Sequence, residues 1–242
     1  MPRFAVLIDA ENAQLVILPG LLAEVAKMGT ASVRRVYGDF TTPNLAPWRS
    51  QLLEHSIQPI QQFRNVAHKN ASDSALIIDA MDLLHSKRID GFCIVSSDSD
   101  FTRLASRIRE EGLLVFGYGE QKTPTSFIAA CDRFTYTEIL RPAGKKQAKP
   151  VLVRADVLDP KGEFVRHLTD AVESCADEGG WADLGSVGYV VVNHVPDFDP
   201  RHYGFKKLSA LVEATGMFDI QRRGDGPQSV SVKLKGGRPT PG

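Results

Sequence analysis

Two short stretches of the sequence place carboxylates among small polar residues, directly after an apolar run. Asp9 follows five apolar residues and precedes Asn12 by three positions. Asp98 and Asp100 alternate with serines after four apolar residues. Capping of a following helix is the alternative role for Asp9 or Asn12, but one acid suffices for a cap. Asp98 and Asp100, two positions apart, repel each other unless a cation screens their charges. Mg²⁺ and Mn²⁺ prefer carboxylate oxygens as ligands. The two stretches therefore predict a metal site.

Helical phase adds a further acid to this set. The apolar pattern predicts a helix over residues 72–86, and at about 100° per residue Asp73 falls in the middle of its apolar stripe. A carboxylate that faces a sheet is costly unless its charge is compensated. A metal ion shared with the other acids would compensate the charge of Asp73, and the partial positive charge of the helix N-terminus is the alternative. Asp82 falls on the solvent side of this helix. Asp79 falls on the margin of the apolar stripe and is at most a secondary candidate for the metal site.

The elements that must position these acids alternate between strands and helices. Apolar runs predict the strands Phe4–Ile8, Ser32–Tyr37, Ile57–Phe63, Phe92–Val95, Leu113–Phe116 and Phe134–Thr137. Helical periodicity predicts the helices Val16–Lys27, Ala46–His55, Ser72–Ser86, Phe101–Glu111 and Thr125–Ala130. This alternation indicates an α/β fold with a doubly wound, mostly parallel sheet. Ligands bind at the carboxyl ends of the strands in such sheets, which is where Asp9 and Asp98 stand.

The chain is predicted to hold two domains. The first covers residues 1–140, and residues 141–161 form a Pro-containing linker with six Lys or Arg against two Asp. That linker is either a solvated tether or a basic arm that contacts phosphates. The second domain covers residues 162–235, and residues 236–242 form a flexible tail.

Three helices and a hairpin are predicted for the second domain. They are an amphipathic helix from Phe164 to Cys175, the helices Leu184–Val192 and Pro200–Ala214, and the hairpin strands Phe218–Gln221 and Ser229–Leu234. This outline indicates a small winged-helix (α+β) domain.

Composition excludes several classes of protein. The 29 Lys+Arg balance the 29 Asp+Glu, so the net charge alone does not indicate a nucleic-acid partner. The three cysteines lie far apart, which disfavours a zinc knuckle and a disulfide framework and favours a reducing compartment. No apolar run approaches the roughly 18 residues of a membrane span, and the N-terminal run is too short for a signal peptide. No P-loop and no GxGxxG motif follows a strand. We therefore expect a soluble cytoplasmic protein with no membrane partner.

The acidic motifs resemble those of the NYN domain, the LabA-like branch of the PIN-type nucleases, over residues 3–140. The motifs are Ile8-Asp9-Ala10-Glu11-Asn12, Lys69-Asn70-Ala71-Ser72-Asp73 and Ser96-Ser97-Asp98-Ser99-Asp100-Phe101. The resemblance implies a PIN-like sheet, ribonuclease activity and Mg²⁺ or Mn²⁺ as the cofactor. It also implies that the catalytic metal ligands are Asp9, Asp73, Asp98 and Asp100. Asn12 and Ser97 would orient the metal-bound water or a phosphate, with Ser96 in a supporting place.

The second domain resembles the OST-HTH, or LOTUS, winged-helix module in the spacing of its apolar residues. The segments that carry the resemblance are Phe164-Val165-Arg166-His167-Leu168 and Tyr203-Gly204-Phe205-Lys206-Lys207-Leu208. The resemblance implies binding of RNA or of a protein partner. Arg64, Lys69 and Arg103 of the first domain would steer the RNA substrate, and the residues of the second domain that would contact RNA are Lys206, Lys207, Arg222 and Arg223. For the last four, a solvated helix face and turn is the alternative.

Taken together, these features predict a Mg²⁺- or Mn²⁺-dependent endoribonuclease that acts on single-stranded or structured RNA. Its C-terminal module would bind the RNA or a partner. The alternative is a non-catalytic RNA-binding adaptor, in which the acids cap helices or bind metal weakly. A phosphatase acting on small phosphoesters is less favoured, because that chemistry needs a second aspartate two positions after the nucleophile, where this chain has Glu11.

Overall fold

The structure, a computed structural model, describes residues 1–63, 71–142, 159, 162–223 and 229–236. The chain divides into two compact units, residues 1–147 and 148–242. Some residues singled out by their sequence lie outside the described residues, namely Arg64, Lys69 and most of the linker and tail, and the side chain of Arg223 is not described.

Unit 1 is built on a six-stranded sheet in which every strand is parallel to its neighbours. The strands are β1 (Arg3–Asp9), β2 (Thr30–Gly38), β3 (Gln58–Gln61), β4 (Gly91–Val95), β5 (Leu114–Gly119) and β6 (Arg133–Tyr136). Their order across the sheet is β3-β2-β1-β4-β5-β6. All of β1 after its first residue is buried, as expected of a central strand that helices cover on both faces.

Helices lie on both faces of this sheet. They are α1 (Leu18–Met28), α2 (Trp48–Glu54), α3 (Ala71–His85), α4 (Thr102–Glu110) and α5 (Thr125–Ala130). Val6 and Ile8 of β1 share a core cluster with the apolar residues of α1. Because side chains alternate along a strand, Leu7 and Asp9 face the other way, toward the face on which α3 packs against β1 and β2. Asp9 and α3 therefore share one face of the sheet.

The strand order reverses at β1. The chain runs outward through β2 and β3 and then returns to β4, which pairs with the free side of β1. The loops that leave β1 and β4 therefore diverge, and open α/β sheets bind their ligands in the crevice formed at such a point. Asp9 ends β1 and Ser96 follows β4, so two of the three acidic motifs lead into this crevice.

Every strand and helix predicted for residues 1–140 is present, with ends that differ by at most three residues. Two helices begin later than predicted because a 3-10 turn precedes each of them. These turns are Leu15–Ile17 before α1 and Ser99–Phe101 before α4. The α/β class and the parallel sheet are thus confirmed.

The described part of unit 2 contains three α-helices and a three-stranded antiparallel sheet. The helices are α6 (Glu163–Cys175), α7 (Leu184–His194) and α8 (Leu208–Thr215). The strands are β7 (Ala182–Asp183), β8 (Phe218–Arg223) and β9 (Ser229–Leu234), in the order β7-β9-β8. The predicted hairpin is β8 and β9, and β7 is an additional strand that pairs with β9. The small α+β domain is confirmed.

One predicted helix of unit 2 is wrong. The segment Pro200–Ala214 is not one helix, because a 3-10 turn ends at Gly204 and α8 begins only at Leu208. The backbone φ of Gly204 is 82°, a left-handed conformation that stops a helix and that glycine adopts without a Cβ clash. The side chain of Asp199 caps the first turn separately. Apolar spacing runs through this break, which is why periodicity alone does not show it.

In the described ranges, no helix is long and apolar enough to cross a membrane. All three cysteines are free thiols, with Cys93 and Cys131 buried and Cys175 partly exposed.

Gly20 of α1 lies so close to the segment Thr137–Leu140 that no side chain fits there. A Cβ atom at Gly20 would collide with the backbone carbonyl oxygen of Leu140. We predict that Gly20→Ala lowers the free energy of unfolding by about 1–3 kcal/mol, the usual cost of overpacking. Helix propensity alone predicts the opposite sign, since alanine favours a helix over glycine by about 1 kcal/mol. Hydrogen exchange of the β1 amides reports on unit 1 alone, and slower exchange in the variant would contradict the close packing.

Candidate metal centre

The carboxylate of Asp9 is buried at the carboxyl end of β1, where 1% of the residue is exposed. Its Oδ1 accepts a hydrogen bond from the backbone N–H of Glu11 (3.0 Å). Its Oδ2 accepts hydrogen bonds from Asn12 Nδ2 (2.7 Å) and Ser96 Oγ (2.8 Å). Burial raises the pKa of Asp9, and these hydrogen bonds oppose the rise. Asp9 thus caps the turn after β1, its alternative role, and is held in one orientation by Asn12 and Ser96.

The loop after β4 is tied to Asp9 through Ser96. The hydroxyl that donates to Asp9 also accepts the backbone N–H of Asp98 (3.1 Å). Asp98 in turn accepts the backbone N–H of Asp100 through its Oδ1 (2.9 Å) and caps the 3-10 turn Ser99–Phe101. Asp98 therefore caps this turn, whereas Asp100 lies beside it in the first turn and is not the cap.

Ser97 is bound to the neighbouring loop. Its hydroxyl accepts the backbone N–H of Glu120, just after β5, at 2.8 Å. The resemblance assigned Ser97 to the orientation of a water or a phosphate. The structure shows it joining the loops that follow β4 and β5.

Asp73 stands in the first turn of α3 and is half-buried. Desolvation, together with the negative charges of neighbouring acids, raises its pKa to about 6. Those acids are, in decreasing order of effect, Asp9, Asp98, Glu11 and Asp100. The position found from helical phase therefore does bring Asp73 to the two acidic loops.

Asp73, Asp98 and Asp100 form a cluster in which each offers one oxygen within 4.8 Å of the others. Mg²⁺ holds its oxygen ligands at about 2.0–2.1 Å, so ligand oxygens on one ion lie roughly 3–4 Å apart. Small side-chain rotations would bring the three oxygens to that spacing. The donor set thus fits a hard divalent cation that keeps several of its waters. Asp9 lies outside this group of three but close enough to raise the pKa of Asp73.

A contact that the sequence did not reveal anchors α3 to β2. Asp79 Oδ2 accepts hydrogen bonds from Arg35 Nη1 (3.0 Å) and from the hydroxyl of Tyr37 (2.9 Å). Tyr37 is fully buried and is paired with Asp9 in the sheet register. Asp79 and Asp73 share one helix, so this contact fixes α3 at the place where Asp73 meets the acidic loops. The marginal helical phase of Asp79 is the only sequence signal for it.

The described basic residues expected to contact RNA are divided between the two units. Arg103 is exposed on α4 of unit 1. Lys206 and Lys207 are exposed in unit 2, just before α8. Arg222 forms an ion pair with Glu213 at 3.3 Å.

Asp73 destabilises the metal-free fold at neutral pH. Its pKa in the folded chain, about 6, lies above the ordinary value of 3.8. Between these values the folded state binds more protons than the unfolded state, so stability falls as the pH rises. We predict that Asp73→Asn stabilises the chain at about pH 8 in EDTA by about 1 kcal/mol, a figure reduced for the solvent screening of a half-exposed group. The gain should shrink as the pH falls through 6 toward 3.8.

Thermal unfolding of both proteins across this pH range tests the prediction. Asp82→Asn is the matched control, because Asp82 is exposed on the same helix. If both variants change stability equally, crowding of charge at Asp73 is not the cause.

Parts of the chain are similar to two solved structures. A protein of unknown function, VPA0982, from Vibrio parahaemolyticus is 21% identical with a TM-score of 0.46, over 56% of this chain and 92% of that chain. An uncharacterized protein from gene locus NE0665 of Nitrosomonas europaea is 36% identical with a TM-score of 0.25, over 39% of this chain and 85% of that chain. Comparison with curated proteins gives no match.

Family profiles match both units of the chain. The NYN domain profile matches residues 3–140, and the OST-HTH/LOTUS domain profile matches residues 159–230. NYN is a PIN-like nuclease family, and OST-HTH domains bind RNA. Both resemblances inferred from the acidic motifs and the apolar spacing are thereby confirmed. The chain belongs to the NYN domain family and carries an OST-HTH/LOTUS domain after its NYN domain.

Proposed function

We propose that this protein is an endoribonuclease that hydrolyses RNA phosphodiester bonds with a bound Mg²⁺ or Mn²⁺. The observation that carries the proposal is the cluster of Asp73, Asp98 and Asp100 at the reversal point of the sheet. Membership of a PIN-like nuclease family supports the same reading. The competing function is a non-catalytic RNA-binding adaptor, which would keep the fold and lack turnover.

Phosphodiester hydrolysis needs an activated water and a counter-charge for the phosphoryl oxygens. A divalent cation, when bound, lowers the pKa of a water and neutralises that developing charge. In our proposal Asp73, Asp98 and Asp100 hold the cation. Asp9, fixed by Asn12 and Ser96, keeps the two acidic loops together and adds to the negative potential that attracts the cation.

The second unit would hold the RNA substrate. Lys206 and Lys207 are exposed at the start of α8 and have room to contact phosphates. Arg222 is a weaker candidate, because its guanidinium already pairs with Glu213. The second unit would therefore add affinity for RNA, while unit 1 carries the chemistry.

We predict that Asp98→Asn abolishes Mn²⁺-dependent cleavage of single-stranded RNA and leaves the fold intact. The variant removes a charged ligand but retains an oxygen that can accept the backbone N–H of Asp100. Cleavage is measured on labelled oligoribonucleotides in Mn²⁺ and in EDTA, with circular dichroism to verify folding. Asp82→Asn, which removes a charge on the exposed face of α3, should cleave as wild type does. Wild-type rates in Asp98→Asn would overturn the proposed mechanism.

Metal binding separates the nuclease from the adaptor. We predict that millimolar Mn²⁺ raises the Tm of the wild-type chain at about pH 8, because the ion binds the folded cluster. The rise should be smaller at about pH 5, since Asp73, with a pKa of about 6, must lose its proton to bind a cation. A Tm that does not respond to Mn²⁺ at either pH would favour the adaptor.

A further inference from the structure

A small cavity lies beside the acid cluster and has no place in the proposed hydrolysis. Glu11, Thr42, Asn44 and Leu45 line it, and we call it the Glu11 pocket. Its volume is about 120 Å³. A cavity needs only about 10–15 Å³ to hold one water, so the pocket has room for a flat organic group.

The Glu11 pocket is joined to the metal centre through Glu11 itself. The backbone N–H of Glu11 donates to Asp9, and its side-chain charge is among those that raise the pKa of Asp73. Gly38 lies close to both the opposite wall and the residue before Glu11. A Cβ atom at Gly38 would lie 2.7 Å from Leu45 Cδ1 and 3.3 Å from Ala10 Cβ. The pocket is therefore next to the acids, at the place where an RNA strand would lie if it bound there.

The wall opposite Glu11 is held in place without any ligand. Asp39 is 7% exposed, and its Oδ1 accepts hydrogen bonds from Thr41 Oγ1 (2.5 Å) and from Gln61 Nε2 (2.8 Å). The Thr42 hydroxyl donates to the carbonyl oxygen of Asp39 (2.8 Å), and the carbonyl of Thr42 accepts the backbone N–H of Leu45 (3.3 Å). A preformed wall of this kind costs little entropy when a ligand binds.

Among the described residues that line the pocket, hydrogen-bond acceptors outnumber donors. The Glu11 carboxylate only accepts, and the Thr42 hydroxyl has already committed its proton to Asp39. The amide of Asn44 supplies the donors and one more acceptor, while Leu45 supplies an apolar surface. A ligand that fits would present several N–H donors beside a single acceptor, on a flat ring.

Among the RNA bases, guanine meets this requirement. Its Watson–Crick edge carries two adjacent N–H donors, which match a carboxylate, and the neighbouring O6 accepts. Uracil carries one donor between two acceptors, which would face the carboxylate. Adenine and cytosine each offer one amino donor next to an accepting ring nitrogen. Single-stranded RNA presents such edges to proteins because its bases are unstacked.

We propose that the Glu11 pocket binds a guanine base next to the scissile phosphodiester, with Glu11 accepting from its two N–H groups and Asn44 donating to O6. This proposal rests on the proposed ribonuclease function for its biological setting. Binding of the base does not require turnover, so the two can fail separately.

The first experiment measures binding of the four nucleoside 5′-monophosphates to the full chain in EDTA. All four carry the same phosphate, so differences report on the base. Guanosine monophosphate should bind at least about tenfold more tightly than uridine monophosphate, the scale of a good bidentate contact. It should also shift the side-chain amide signal of Asn44 in the NMR spectrum. Equal affinities, or a preference for another base, would overturn the proposal.

Variants then locate the base. Glu11→Gln replaces an acceptor by a donor and should remove the preference for guanosine monophosphate. Asn44→Ala, at an exposed position, should weaken it through the loss of the O6 contact. Glu54→Gln makes the same charge change on exposed α2 and should bind as wild type does. A Glu11→Gln chain that loses Mn²⁺ affinity but keeps the guanine preference would show that Glu11 serves the cation and would refute the pocket assignment.

The second experiment uses oligouridylates that contain one guanosine, adenosine or cytidine, with Mn²⁺ present. Wild type should cut beside the guanosine at least about tenfold faster than at uridines, and Glu11→Gln should lower that ratio several-fold. Cleavage without any base preference would overturn the pocket assignment and leave the ribonuclease in place. If no RNA is cleaved at all, the proposed function fails, and the nucleotide titration alone decides whether the pocket binds guanine.

Discussion

The burial of the Asp9 carboxylate is the constraint on which the whole centre depends. A carboxylate at the end of the central strand, almost without solvent, must be hydrogen-bonded on both oxygens. Asn12 and Ser96 meet that need on one oxygen, and the turn after β1 meets it on the other. The same Ser96 hydroxyl accepts the backbone N–H of Asp98. The hydrogen bonds of the buried Asp9 carboxylate therefore fix the loop after β4 relative to the loop after β1. Asp98 and Asp100 lie on the loop after β4, so these bonds also determine where they lie.

The cluster is held together against its own repulsion by packing elsewhere in unit 1. Asp73 carries a raised pKa because burial and four neighbouring acids disfavour its charge. The helix that carries Asp73 is tied down two turns later, where Asp79 bonds to Arg35 and to the buried Tyr37. That contact holds α3, and with it Asp73, in place beside the acidic loops. Strain of this kind is common where function demands like charges in one place.

Local features of the sequence were sufficient for the acids and their elements, but not for their neighbours in space. The phase of α3 alone placed Asp73, and apolar runs placed the strands that end at the acidic loops. Strand order is not a local property, so nothing in the residues showed that β1 and β4 are adjacent or that Ser96 bonds to Asp9. The contact made by Asp79 could not be predicted for the same reason, because its partners lie more than 40 residues away on β2. Apolar spacing continues across Gly204, so the sequence pattern does not predict the break in the helix at this residue.

The hydrogen bond between Asp9 and Ser96 joins residues 87 positions apart. During synthesis β1 leaves the ribosome long before β4 has been made, so Asp9 can form its hydrogen bond with Ser96 only later. A nascent or truncated chain that ends before this point has neither the loop of Asp98 nor the strand that supports it. Without Ser96, the buried Asp9 carboxylate lacks one of its hydrogen-bond donors, so a fragment that stops short of this residue cannot reproduce the end of β1 as the full chain has it.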